Sequence, residues 1–255
     1  MARTDQDPNG PDQDGTPGAG HSAPDTTATG RPEPDRPRPG AGTGARHLPW
    51  LAALAIAYAL THHTGVGLAW LGSIGDTRWA DWIDLITPYA VLLPAAAALR
   101  AGRAGPRIWA LYLAGAITYV EGHGIHLAAN SVGNVAPSDI AHLWDEYAGH
   151  YLWYGGVTLV FTALAAALAT RPAAPGPWPV VLALLTGLTF TTNALEGQFA
   201  VPALLLSAAF SAWGWTTRRH LGRVLAIAFA PALLMLIAYG IWHQGFPEPT
   251  ELGWI

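Results

Sequence analysis

The residues able to do chemistry fall mainly in three stretches. The first reads TYVEGHGIHLAANS over residues 118–131. Within it Tyr119, His123, His126 and Asn130 recur at steps of four, three and four. A helix turning 100° per residue puts these four on one face, within roughly 60° of arc. By the same arithmetic Glu121 points nearly the opposite way. The second stretch, AHLWDEYAGHYLWY (141–154), sets His142, Glu146 and His150 at successive steps of four, with Asp145 beside them and Trp153 and Tyr154 following. The third, TTNALEGQFA (191–200), has Asn193 and Glu196 three apart. Neutral imidazoles bind zinc, copper or iron, and nearby carboxylates either ligate the ion or orient the rings. His123, His126 and His150 are therefore candidate ligands for a divalent metal, supported by Asn130, Asp145, Glu146 and Asn193. Glu121 and Glu196, each followed by glycine, are candidate proton donors or acceptors. Two other readings use the same groups. They can form a metal-free hydrogen-bonded network between helices, with Asp145 and Glu146 as a solvated pair near the loop. His62 and His63 can line a hydrated vestibule.

The elements that must position these groups are apolar helices. Of 255 residues, 51% are hydrophobic and 12% are charged, about half the charged share of a soluble domain. Residues 1–46 hold five of the thirteen arginines, seven of the seventeen acids, eight prolines and eight glycines. That composition predicts a disordered Pro/Gly-rich tail preceding a membrane domain over 47–255. No apolar stretch occurs before Leu48, so the pattern is not that of a signal peptide. From Leu48 on, apolar segments of about 20 residues predict an all-α bundle of about seven transmembrane helices, near 48–71, 79–99, 108–130, 147–170, 178–198, 201–217 and 222–243. The fourth starts nearer Ile140 if AHLWDEYAGHYLW is continuous helix.

Arginine placement orients the bundle. Arg46, Arg100, Arg103, Arg107, Arg171, Arg218, Arg219 and Arg223 fall on one side of seven alternating spans, and only Arg78 falls on the other. The positive-inside rule then predicts a cytoplasmic N-terminus and an outward C-terminus. In that frame all ten carboxylates of the body sit in outer loops or outer half-spans. Glu121 lies roughly 20 Å along a hydrocarbon core about 30 Å thick. Ionisable groups sent from five helices to one depth in a bilayer mark a functional site.

Several classes drop out. There is no cysteine, hence no disulfide, thiolate metal site or cysteine nucleophile, and a formal net charge of -4 gives no basic surface for nucleic acid. No phosphate loop, dinucleotide fingerprint or G-x-S-x-G elbow stands in a supporting context. In span number and in the order of His126, Ser131, Asp145 and His243, the chain resembles the adiponectin-receptor and alkaline-ceramidase group, which are zinc hydrolases. It departs from them in its last span, which offers only His243 in place of an H-x-x-x-H pair, so no family is assigned. The composition, rich in Ala, Gly, Pro and Arg without lysine, suggests a bacterial plasma membrane. The expected function is a metal-assisted membrane enzyme with an outward-facing site for a lipid-like small molecule. The alternatives are a proton-coupled transporter and a non-catalytic membrane subunit.

Overall fold

The computed structural model describes residues 45–217 and 219–254; the expected tail lies almost wholly outside them. The chain is helical, with ten α-helices among the described residues. These are α1 (Leu48–Thr61), α2 (Thr64–Gly67), α3 (Trp79–Asp84), α4 (Thr87–Ala101), α5 (Pro106–Val135), α6 (Asp139–His142), α7 (His150–Leu168), α8 (Trp178–Glu196), α9 (Ala200–Thr217) and α10 (His220–His243). A 3-10 turn covers Ala69–Leu71, and a π-helical segment, Leu143–Gly149, joins α6 to α7. Two short antiparallel strands, β1 (Ser73–Ile74) and β2 (Thr77–Arg78), form a hairpin in the register Ser73↔Arg78 and Ile74↔Thr77. Its turn passes through Gly75 at φ +59°, a backbone that other residues rarely adopt.

Four stretches are long and apolar enough to cross a membrane: Trp79–Ala101, Asp139–Leu168, Trp178–Glu196 and His220–His243. α1 is apolar but only 14 residues long. The expected first span, 48–71, is thus interrupted, and the histidines explain where. The Nδ1–H of His62 donates to the Tyr58 carbonyl at 3.0 Å, and that of His63 donates to the Ala59 carbonyl at 2.8 Å. These rings occupy last-turn carbonyls while the backbone turns off into α2. The second expected segment is divided at Leu85–Ile86, where the Thr87 hydroxyl donates to the Asp84 carboxylate and lies 3.2 Å from the Thr61 carbonyl. The fourth does begin early, at Asp139, where the Ser138 hydroxyl accepts a bond from the Ala141 amide.

Small residues set the spacing of the central helices. α5 and α7 run against each other through Gly115 and Gly122 on one side and Gly149 and Gly156 on the other. A Cβ on Gly122 would collide with the backbone at Trp153, and one on Gly149 would lie 2.9 Å from the His126 backbone. Gly187 does the same for α8 against Ala228 of α10, and Gly214 for α9 against α10. Backbones that approach this closely gain dispersion contacts unavailable to larger side chains, which is how helices associate in an apolar solvent. Around these contacts Tyr58, Tyr119, Tyr154, Phe190 and Phe229 are fully buried.

Candidate metal centre

α5 brings one imidazole to the site, the π segment brings the carboxylates, and the first residue of α7 brings the second imidazole. His126 donates from Nδ1 to Asp145 Oδ1 at 2.5 Å, and His150 Nδ1 lies 3.1 Å from Glu146 Oε2. The two imidazole rings lie 4.4 Å apart between centroids, tilted by 32°. His126, Asp145 and His150 each offer a ligand atom, and these atoms all lie within 4.8 Å of one another. This group could hold a metal ion, and its donor set suits zinc, copper or iron.

The winding of Leu143–Gly149 is what assembles it. On an α-helix, residues five apart are splayed by roughly 140° at 100° per residue. A π-helix bonds i to i+5 and turns less per residue, which narrows that splay. Asp145 and His150 are five apart, so the π turn places the carboxylate beside the ring. The expected face His142–Glu146–His150 rests on α-helical steps of four and is altered accordingly. His142 is exposed and packs edge-on against Tyr147. Gly149, the last residue of the π segment, leaves room for the α5 backbone at His126.

His123 is buried close by but is differently engaged. Its Nε2–H donates to the Asp84 carbonyl at 2.9 Å, and Nδ1 has no partner among the described residues. Its ring meets Trp153 edge-on at 4.6 Å. Trp153 also lies against His62, His126 and His150, with centroids 5.2–5.7 Å away. Four buried or half-buried imidazoles therefore surround one indole. Because His62 Nδ1 is committed to a carbonyl, its Nε2 must accept, and the Tyr119 hydroxyl donates to it at 2.9 Å.

The remaining expected site residues are dispersed. Glu121 is exposed on the far side of α5, which runs on as regular helix through Gly122 and Gly124, so it is not brought to the histidines. Glu196 ends α8, with a buried Oε2 that finds no partner among the described residues. The next residue, Gly197, lies against the site: a Cβ there would come within 2.8 Å of the Tyr154 hydroxyl and 3.1 Å of the His150 ring. Asn193 donates to the Thr189 carbonyl at 2.8 Å, and its own carbonyl accepts from Tyr154 at 2.7 Å, a helix-bridging role. The Asn130 side chain accepts from Asn134 at 3.1 Å, its one side-chain hydrogen bond among the described residues. His243 packs with Tyr239 and Trp254, away from this group. His63 reaches Thr192 of α8 at 3.3 Å while His62 turns inward.

Sequence reasoning gave Asp84 no role in the site and gave His62 only a place in a hydrated vestibule. The D-x-x-T spacing of Asp84 and Thr87 is a weak signal for the first. Nothing in the sequence pairs His62 with Tyr119, which is 57 residues away. No protein-family profile matches the chain, and no curated protein or solved structure matches it significantly.

Proposed function

We propose that this chain is a metal-assisted enzyme of a bacterial plasma membrane, acting on a lipid-like substrate. In this reading seven helices cross the bilayer, the N-terminus is cytoplasmic, and residues 1–46 form a tail ahead of the 47–255 bundle. The observation that carries the metal reading is the meeting of His126, Asp145 and His150, with ligand atoms within 4.8 Å. Two further features support it. The His126 Nδ1–H is held by the Asp145 carboxylate, the arrangement that fixes tautomer and ring orientation in metal sites, and Glu146 Oε2 lies 3.1 Å from His150 Nδ1 without a hydrogen bond. The third helix in reach supplies Glu196, whose unpartnered buried oxygen suits a group that takes up and returns a proton.

A divalent ion here would supply Lewis acidity or an acidified water. The chain's own residues would do the rest. Glu146 lies beside the His150 ring, Trp153 walls off the apolar core, and Tyr154 positions the end of α8 through its bond to the Asn193 backbone carbonyl. The lipid-like substrate is supported by an apolar cavity of about 240 Å³ between α1, α7, α8 and α10. Tyr58 lines that cavity, and its ring lies 4.2 Å from that of His62.

Elemental analysis of the purified protein tests the proposal. About one zinc, copper or iron per chain is expected, falling to background in His126→Ala and His150→Ala but not in Glu121→Gln. Metal-free protein, unchanged in stability by the two histidine substitutions, would overturn it. The file of imidazoles from His150 through His126 and His123 to His62 favours proton-coupled transport as the second reading. Proton flux into proteoliposomes that is lost in His123→Gln would reverse the order of the two.

A further inference from the structure

At the opposite end of the bundle, three arginines converge with no carboxylate partner among the described residues. Arg46 immediately precedes α1, and Arg100 and Arg103 end α4. Together with Trp50, Ala97 and Ala101 they line a cavity of about 450 Å³. A fourth arginine nearby is already used, since Arg171 donates to the Gly102 carbonyl at 3.2 Å. Trp50, nearly half exposed, stands at the rim.

The backbone of Arg103 makes the arrangement more than a positively charged loop. α4 ends in a Schellman motif: the Ala104 amide donates to the Leu99 carbonyl and the Arg103 amide to the Arg100 carbonyl, both at 3.0 Å. The residue between them in space must be left-handed, and glycine normally takes that position. Arg103 occupies it at φ 56°, a conformation costly for a residue with a Cβ. A charge needed only to orient the chain could stand anywhere in the loop without that strain. Keeping arginine at this position fixes the direction in which its side chain leaves the helix.

From the three converging guanidiniums, the cavity and the strained Arg103 backbone, we infer that this is a binding site for a phosphate oxyanion, presented as the headgroup of an acidic phospholipid. Guanidinium forks match phosphate oxygens in pairs, and basic pockets between membrane helices hold acidic headgroups. Trp50 at the rim is suited to the level where headgroup meets acyl chain. The site is independent of the metal group, so either can fail without the other.

The test is thermal unfolding of the detergent-solubilised full chain with added phosphatidylglycerol, phosphatidylcholine of the same acyl chains, or inorganic phosphate. Phosphatidylglycerol is expected to raise Tm more than phosphatidylcholine does. Its apparent affinity should fall roughly fivefold in Arg100→Gln and again in Arg103→Gly. Arg103→Gly is the informative variant, because glycine relieves the left-handed backbone: its lipid-free Tm should be no lower than that of the parent while the phosphatidylglycerol shift shrinks. Inorganic phosphate protecting as well as the lipid would keep the site and assign it a soluble phosphate ligand. Equal shifts with both lipids and no effect of phosphate, or a phosphatidylglycerol shift undiminished in the Arg100→Gln/Arg103→Gly double variant, would overturn the inference.

Discussion

Asp145 carries the sharpest question at the scale of single residues. Its 2.5 Å contact with His126 Nδ1 leaves no room for an ion between those two atoms. Two ligand atoms about 2.0–2.1 Å from a tetrahedral ion stand roughly 3.3 Å apart. Either the contact opens on loading, or the ion lies at the other ring nitrogens and Asp145 orients His126. Substitution separates the two. Asn at 145 still accepts the ring N–H but is a poor ligand. If Asp145 orients, Asp145→Asn should keep most of the affinity while Asp145→Ala loses about 10–100-fold, as read by chelator competition. If it ligates, both should lose it. Replacing His123 by Gln should leave metal stoichiometry intact, because its Nε2 is committed to the Asp84 carbonyl. His126 and His150 could be picked out in the sequence because regular helical steps bring out a shared face. The place of Asp145 could not, since that periodicity assumes 100° per residue and the π turn does not obey it. The contacts of His123 with the Asp84 carbonyl and of His62 with Tyr119 were hidden for a different reason: they join residues 39 and 57 apart in the chain.

Among the elements, the α5–α7 pair holds the site in register. Gly122 and Gly156 let the two backbones touch, and Tyr119, His123 and His126 ride on one of them. Gly122→Val should destabilise by about 1–3 kcal/mol or more through overpacking, measured by thermal unfolding in detergent. Metal affinity should fall with it, since His126 and His150 sit on opposite partners. A second joint lies where His47 enters α1. His47 is buried, with an Nε2 that has no partner among the described residues. Its pKa is lowered, first by the loss of water around the ring and also by the Arg171 charge, against an opposing hydrogen bond to the Pro172 backbone. The unfolded chain therefore binds a proton at higher pH than the folded one. Stability should be fully present above the ordinary histidine value of 6.5 and decline as pH falls through it. His47→Phe should flatten that decline in unfolding curves taken between pH 7.5 and 5.5. Helix existence was readable because runs of apolar residues leave little alternative. The interruptions at His62 and Leu85 were not, because they depend on side chains bonding back to the main chain.

For the whole molecule, the absence of cysteine offers a direct measurement of topology. Single cysteines at Ser73 or Ser138 should react with an impermeant maleimide added to intact cells. Single cysteines at Gly105 or Gly176 should react only after permeabilisation. The reverse pattern would invert the orientation and place the metal group on the cytoplasmic side. The apolar segments made a helical bundle with membrane-crossing stretches readable from sequence, and the arginine distribution supplies the orientation that this labelling tests. The depth at which each helix stops is set instead by local hydrogen bonds. That matters for α1. At 14 residues it is about 21 Å long, against a hydrocarbon thickness of about 30 Å. Lipid beside Leu60 and Val66, both well exposed, then meets a rod that gives out early. If α1 crosses the bilayer, the tails beside it are expected to shorten or disorder near His63, and the protein's enrichment in thinner bilayers should then vary with the acyl length of the host lipid.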